Sequence, residues 1–336
     1  MTKVVKESSS DNYIILDKTK INSNLASSGE YISDDIYIKK FDGDSNPNNY
    51  LATFKKEGLE YSGSINSDFQ KDGYGLEIYQ NGDKYFGQYE SDLRNENGIY
   101  FFSPTKNELN NYIKAECYFG KWKNNLKDNN GIYIWMEEPE NNFLFENANF
   151  DAYIGEFEED KYIRGSYLTK FENEFSLYHG NFTKEGKKQD NDAFYFSSKK
   201  DSVFHGEVKN DSLLKGYLGF FDEDFEDVKK LLYCIFNEDG SINDVIEENE
   251  IKLNEEEIND EKKKLENFRN IIFDGDYFGN IYNRFTKIKN KIEKLGNITK
   301  ILENENNIDE IDKLLNKYRK KNIYYNIEEN FFGRDM

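Results

Sequence analysis

From residue 61 to residue 89, apolar and polar residues alternate at period two in short runs separated by polar turns. Successive side chains of a strand point to opposite faces, so each run reads as a strand with one buried face. The runs are Tyr61-Ser-Gly63-Ser-Ile65, Gly73-Tyr-Gly75-Leu-Glu-Ile-Tyr79 and Tyr85-Phe-Gly87-Gln-Tyr89, with Asn81-Gly82-Asp83 between the last two. Asn-Gly in that place predicts a tight turn whose two central residues both take positive φ. Two runs joined by a turn make a β-hairpin, and the middle of the chain repeats that hairpin.

Each first strand opens aromatic-x-Gly and carries an aromatic or apolar residue two positions on. After the copies at Tyr61 and Tyr85 come Tyr118-Phe-Gly120-Lys-Trp122, Tyr153-Ile-Gly155-Glu-Phe157, Tyr178-His-Gly180-Asn-Phe182 and Phe204-His-Gly206-Glu-Val208. The second strands open at Gly75, Gly98, Gly131, Gly165 and Gly216, and Asp192 stands at that place in the fifth copy. Successive copies start 24, 33, 35, 25 and 26 residues apart, and the two long intervals carry loop insertions at 104–116 and 139–151. Residues two apart share a strand face, so Tyr118, Gly120 and Trp122 point together, as do Gly131, Tyr133 and Trp135. Glycine between two aromatics leaves room for a ring of the neighbouring strand to lie on the backbone. Edge-to-face ring pairs add roughly 0.5–1.5 kcal/mol each beyond area burial. The expected fold is mainly β: an elongated, single-layer, twisted antiparallel sheet of six hairpins over 61–220, with a quasi-one-dimensional aromatic core.

The flanks follow other patterns. Residues 1–35 show no sustained period and read as a flexible tail. Residues 36–60 read as leading strands that cap the sheet. Beyond 220 the spacing turns helical, and 221–336 reads as a helical C-terminal region. Phe225, Val228, Leu231, Leu232 and Ile235 fit a helix, with a strand as the alternative. Ile258, Leu265, Phe268 and Ile272 line one side of a helix from 255 to 272. A further helix from 277 to 295 closes on Gly296, and another carries Ile308, Ile311, Leu314, Leu315 and Tyr318. The chain ends in an aromatic stretch, Ile323-Tyr-Tyr325 and Phe331-Phe332.

An aromatic content of 16% argues for a folded core, since disordered chains are poor in rings. The formal net charge is −20, with 26 basic and 37 acidic residues in 1–220 and 19 and 28 in 221–336. Such a field makes nucleic acid an unfavoured partner and disfavours direct binding to anionic membranes. The exception is the basic cluster Lys287, Lys289, Lys291 and Lys294, which reads as the wet side of a helix or as a contact for an acidic partner surface. Cys117 and Cys234 form no CxxC pair, and no apolar run approaches the length of a membrane span. The expectation is a cytoplasmic chain in a reducing compartment. The excess of Asn, Lys, Ile and Tyr fits codon bias in an AT-rich genome, such as a protist's.

The hairpin resembles the MORN repeat (membrane occupation and recognition nexus), whose idealised unit runs Tyr-x-Gly-x-Trp, a turn, Gly-x-Gly-x-Tyr, then Asp-Gly. Residues 61–89 carry it at Tyr61, Gly63, Gly73, Gly75, Gly82, Tyr85 and Gly87. Later units drift, with Glu96 at the place of Gly73. The resemblance covers 61–220 and implies a non-enzymatic scaffold that binds proteins within a larger assembly. It also implies self-association in some members, and a place in cilia, including radial spokes, or in the cytoskeleton. The alternative it implies is a peripheral membrane adaptor that binds phosphoinositides or a membrane-bound partner.

Catalytic chemistry finds little footing. His179 and His205, the only histidines, sit mid-triplet in different repeats, on the face away from the rings and expected toward solvent. A serine or cysteine nucleophile would need such a base. Asn237-Glu-Asp-Gly240 fails as a calcium loop, because Ile235 and Ile246 fall where carboxylates are required. Asp276-Tyr-Phe-Gly279 lacks every companion motif of a kinase. No catalytic residue, cofactor or metal ligand is therefore assigned. The repeat-defining residues Tyr61, Gly63, Gly73, Gly75, Gly82, Tyr85, Gly87, Gly98, Tyr118, Gly120, Trp122, Gly131, Tyr153, Gly155, Gly165, Tyr178, Gly180, Gly206 and Gly216 are read as structural.

Overall fold

The structure, a computed structural model, describes residues 30–33, 36–40, 50–56, 58–107, 112–139, 149–172, 174–221, 227–237 and 240–274. They fall into two compact units, one up to Tyr100 and one from Phe101. The chain is mainly β and antiparallel throughout, as the alternation predicts.

The first unit contains β1 (Glu30–Ser33), β2 (Ile36–Lys40), β3 (Tyr50–Lys56), β4 (Leu59–Ile65), β5 (Lys71–Ile78), β6 (Lys84–Glu90) and β7 (Leu93–Phe101). From β1 to β6 each strand pairs antiparallel with the next. Among the described residues, strand pairing begins at Glu30, inside the stretch read as a tail. The hairpins expected at Tyr61 and Tyr85 are β4–β5 and β6–β7.

The second unit runs β8 (Thr105–Asn107), β9 (Tyr112–Lys123), β10 (Leu126–Pro139), β11 (Asn149–Glu158), β12 (Lys161–Phe171), β13 (Glu174–Asn181), β14 (Asp190–Ser197), β15 (Ser202–Lys209) and β16 (Ser212–Phe221). It continues with β17 (Val228–Phe236), β18 (Ile242–Glu247), a 3-10 turn at Glu248–Glu250 and α1 (Glu255–Asp274). Consecutive strands pair antiparallel from β8 to β18. The two expected loop insertions prove to be strand extensions in part. Thr105–Asn107 pairs with Tyr112–Lys114, and Glu137 at the far end of β10 pairs with Asn149.

Val228 to Ile235 form a strand, against the helical reading of their spacing. Gly216 faces Cys234, and Cys234 faces Val245. β17 and β18 are therefore a seventh hairpin in which Cys234 and Val245 hold the glycine places. The strand wins because the edge of β16 offers a ladder to pair with, which local spacing cannot register. The helix expected from 255 to 272 is present as α1. Asn254 Oδ1 accepts from Glu257 N–H at 3.0 Å and Glu257 Oε2 accepts from Asn254 N–H at 2.9 Å, a reciprocal cap that fixes where it starts. The expected helices at 277–295 and 308–318, the Lys287–Lys294 cluster and the aromatic tail lie outside the described residues.

Burial departs from the half-buried expectation in the third hairpin, β9–β10. Tyr118 and Trp122 are buried on one face, and Cys117, Phe119, Ile132, Ile134 and Met136 on the other. These strands alternate aromatic with aliphatic residues rather than with polar ones, so both faces avoid water.

Candidate functional site

Register places the glycines in a row that crosses the strands. In the first unit the row runs Ala52, Gly63, Gly75, Gly87, and Gly98 lies against Gly87. In the second it runs Gly120, Gly131, Gly155, Gly165 and Gly180, then Ala193, Gly206 and Gly216. Ala193, fully buried, faces Gly206, so it and not Asp192 stands at the second-strand place of the fifth hairpin. An irregularity between Asp190 and Ala193 shifts that register by a residue, which counting along the chain could not detect.

Over this row lie the opening tyrosines, which supply the ring from the same strand as the first glycine. A Cβ on Gly131 would meet Tyr118 Oη at 2.5 Å and Cε2 at 2.6 Å. A Cβ on Gly75 would meet Tyr61 Cε2 at 2.5 Å. Each ring is pinned by its own hydroxyl, which donates to the carbonyl three residues on. The pairs are Tyr61 to Ser64 (2.7 Å), Tyr85 to Gln88 (2.9 Å), Tyr118 to Lys121 (2.7 Å), Tyr153 to Glu156 (2.8 Å) and Tyr178 to Asn181 (2.7 Å). Burial raises the pKa of Tyr118, Tyr153 and Tyr178 above the usual phenol value, which keeps these donors protonated. The aromatic four residues on stands edge-on to each ring: Tyr89 to Tyr85, Trp122 to Tyr118, Phe157 to Tyr153 and Phe182 to Tyr178, at 5.0–5.3 Å. The same residues touch the ring of the preceding hairpin: Tyr89 meets Tyr61, Phe157 meets Tyr118 and Phe182 meets Tyr153.

A cation covers four of these tyrosines, a feature the sequence reading missed. Lys71, Arg94 and Lys127 lie 5.7 Å from the rings of Tyr61, Tyr85 and Tyr118, and Lys188 lies 5.6 Å from that of Tyr178. In the fourth hairpin Tyr162 stacks on Tyr153 instead, at 4.1 Å. A signal existed: Lys71, Arg94 and Lys127 each stand four residues before the second-strand glycine. The three lysines are also clasped by the turn of the next hairpin. Lys71, Lys127 and Lys188 donate their backbone N–H to the carboxylates of Asp92, Asp160 and Asp211 at 2.7–2.9 Å. Those aspartates return an N–H to the lysine carbonyls at 2.9–3.1 Å. Asp92, Asp160 and Asp211 are second residues of two-residue turns in which both residues have positive φ, such as 48° and 68° at Glu159 and Asp160. The Asn81-Gly82 turn differs from expectation, because positive φ falls on Gly82 (87°) and not on Asn81. Tyr79 N–H donates to Asp83 across it, which widens the loop enough for Asn81 to keep an ordinary conformation.

The opposite face carries the histidines, and they are not turned to solvent. α1 packs over β15, β16 and β17 through Leu265, Phe268 and Ile272. His205, buried beneath it, joins Glu261 of α1 through Nδ1 and Asp192 of β14 through Nε2 at 2.6 Å. Burial pulls the His205 pKa down, but the bond to Glu261 and its charge, then Asp192, outweigh it and hold the imidazole above its ordinary value. Burial pushes the Glu261 carboxyl up, and His205 and Lys264 together hold it below the usual range. Phe194 stacks on His205 at 4.3 Å and on Phe268 at 4.8 Å, so sheet, imidazole and helix form one column. His179 meets Ser166 Oγ at 3.0 Å, and burial, with the Arg164 charge, lowers its pKa to about 4. Glu261 and Asp192 were invisible as counterparts of His205, because nothing local sets the register of α1 on the sheet or of β14 against β15.

Residue by residue, the tyrosines and glycines singled out from sequence come together in the ring-over-glycine rows of the two units. Gly73 and Gly82 stand apart from the rows and have positive φ of 88° and 87°. Among the described residues no helix is long and apolar enough to cross a membrane.

Hairpins laid side by side, with Tyr89, Phe157 and Phe182 each touching the ring of the hairpin before, define a repeat protein in which neighbouring hairpins share a core. Residues 70–84, 85–104 and 118–136 match the MORN repeat, which makes the chain a MORN-repeat protein, of a non-catalytic repeat type that mediates protein or membrane interactions. The matches take in the second strand of the first hairpin, the second hairpin and most of the third. The fourth to sixth hairpins keep a ring against the glycine places without matching. No curated protein matches the chain.

Proposed function

We propose that the chain is a non-catalytic scaffold subunit that binds other proteins within a larger cytoplasmic assembly. The carrying observation is the seating of α1: a face of the repeat sheet takes up an amphipathic helix through Leu265, Phe268 and Ile272, with Glu261 and Arg269 buried among them. A sheet face that receives a helix in this way offers partner helices the same kind of surface. The family resemblance supports a ciliary or cytoskeletal setting, including the radial spoke. Lys287, Lys289, Lys291 and Lys294 are the proposed contact for an acidic partner surface. Affinity purification of the tagged chain at endogenous level, with cross-linking and mass spectrometry, tests the reading. A stoichiometric multisubunit complex is expected, and a wholly unbound pool would overturn it. The rival role, a peripheral adaptor on phosphoinositide membranes, is opposed by the net charge of −20. Co-sedimentation with phosphoinositide vesicles, lost on neutralising Lys287, Lys289 and Lys291, would favour it.

A further inference from the structure

We propose that the outer edge of β18 is a docking site for an extended, lysine- or arginine-bearing segment of a partner protein, which adds there as one more strand. This deepens the scaffold reading and rests on it.

Among the described residues β18 pairs only with β17, so one side of its backbone has no ladder. Val245 N–H bonds the carboxylate of the preceding Asp244 at 2.9 Å, as an amide on an unpaired edge does. Side chains point the same way. Ile242 faces Phe236 and Val245 faces Cys234, with a bulge between, so both lie on the ring face. They are 50% and 41% exposed, two of four exposed large hydrophobics among the described residues, and the other two, Leu126 and Phe171, lie on β10 and β12. Earlier hairpins cover that face with a ring from the next unit, and the row of rings extends as far as Phe236, edge-on to Phe204 at 5.8 Å. Ile242 and Val245 thus occupy the surface on which a further strand of the repeat would lay its apolar residues.

Charge selects the occupant. Residues 237–261 contain eleven acidic residues and one lysine, a net −10, half of the excess of the whole chain. Asp244 and Glu247 stand on β18 itself, and Glu248 and Glu250 follow at once. A second copy would bring the same acidic edge and a net −20 against this one. A basic strand gains main-chain bonds, apolar cover for Ile242 and Val245, and charge pairs with Asp244 and Glu247.

The probe is a fluorescein-labelled peptide of about ten residues, a usual strand length, alternating lysine with valine and tyrosine. Its binding to the full chain is read by anisotropy. The expected result is binding at least about 10-fold tighter than a peptide of the same composition interrupted by proline, which cannot extend the ladder. Val245→Pro, which removes an N–H from the unpaired edge, should weaken binding by at least about 10-fold with far-UV circular dichroism unchanged. Asp244→Lys with Glu247→Lys, two exposed sites of which the second gives up its 3.5 Å pair with Lys230, should weaken it and flatten its salt dependence, with far-UV circular dichroism unchanged. Equal binding of the interrupted peptide, or full binding by both variants, would overturn the proposal. So would wild-type dimers in sedimentation velocity that Val245→Pro dissolves, because a second copy would then own the edge. Val245→Pro that recovers an unchanged complex on affinity purification sinks the edge and leaves the scaffold reading standing. A wild-type chain that recovers no complex sinks the scaffold reading itself.

Discussion

Gly131→Ala tests the ring-over-glycine arrangement at its most observable point. Gly131 has no left-handed backbone to strain, so the penalty would be steric. The new methyl would stand 2.5 Å from Tyr118 Oη and 2.6 Å from Cε2, atoms of a rigid ring that cannot swing aside as a flexible chain end could. Overpacking of this kind costs about 1–3 kcal/mol. A displaced ring also gives up its edge-on contacts with Trp122 (5.0 Å) and Phe157 (5.1 Å), roughly 0.5–1.5 kcal/mol each. Its hydroxyl bond to Lys121 adds about 1 kcal/mol. Set against about 0.4–1 kcal/mol gained by stiffening the unfolded chain, the net loss is roughly 2–6.5 kcal/mol. Trp122 and Trp135, the only tryptophans, both lie on this hairpin, so their fluorescence in a urea titration reports its unfolding directly. Adding Tyr118→Leu supplies the decisive comparison, because without the ring the alanine has room and its penalty should vanish. An equal penalty in both backgrounds, or one below about 1 kcal/mol with the ring present, would refute the reasoning. Gly186→Ala is the contrast: its φ of 80° is strained but no atom lies within 4 Å, so about 1 kcal/mol is expected.

The clasp between hairpins predicts an order among substitutions at Asp160. Asp160→Asn keeps an acceptor and a residue suited to positive φ, whereas Asp160→Ala loses both, and the alanine should cost about 1 kcal/mol more in a urea titration. The helix seat predicts that Phe268→Ala lowers stability by about 3–5 kcal/mol and leaves the tryptophan-reported hairpin folded at denaturant where α1 has come off. The pH profile follows from the histidines and Glu261. His205 is held above its ordinary pKa, so its stabilisation is complete below about 6.5 and fades as pH rises through the folded value. Glu261 is held low, so its share is present above about 4.3 and lost as pH falls through its folded value. His179, held near 4, loses stability as pH falls from about 6.5 toward that value. His205→Gln should therefore flatten the alkaline decline of the urea midpoint and shrink the Glu261 share of the acid limb, leaving the share of His179; parallel curves for the two proteins would contradict the pairing.

Most of the sheet was legible because its signal is local: aromatic-x-Gly and period two are read within one strand. What escaped depends on pairing between distant strands. Ala193 took the place assigned to Asp192 because a register shift is a property of two strands together. Val228 to Ile235 pass for a helix by spacing alone, and only the edge of β16 makes them a strand. The histidines were placed on the correct face, but their cover came from α1, whose position on the sheet no sequence interval encodes. Lys71, Arg94 and Lys127 were recoverable from their constant distance to glycine, and were passed over because charged residues in turns are so common.

The inward-turned hydroxyls also decide which tyrosines can be chemically marked. Of 25 tyrosines, Tyr61, Tyr85, Tyr118, Tyr153 and Tyr178 are at most 1% exposed, and each hydroxyl is bonded to a carbonyl of its own strand. A phosphate needs several oxygens' worth of space and a full negative charge where each of these rings meets bare backbone. A kinase meeting the folded chain is thereby barred from all five. Phosphate found on any of them would identify copies reached before folding was complete or after it had been lost, so these positions serve as a chemical record of each copy's folding history.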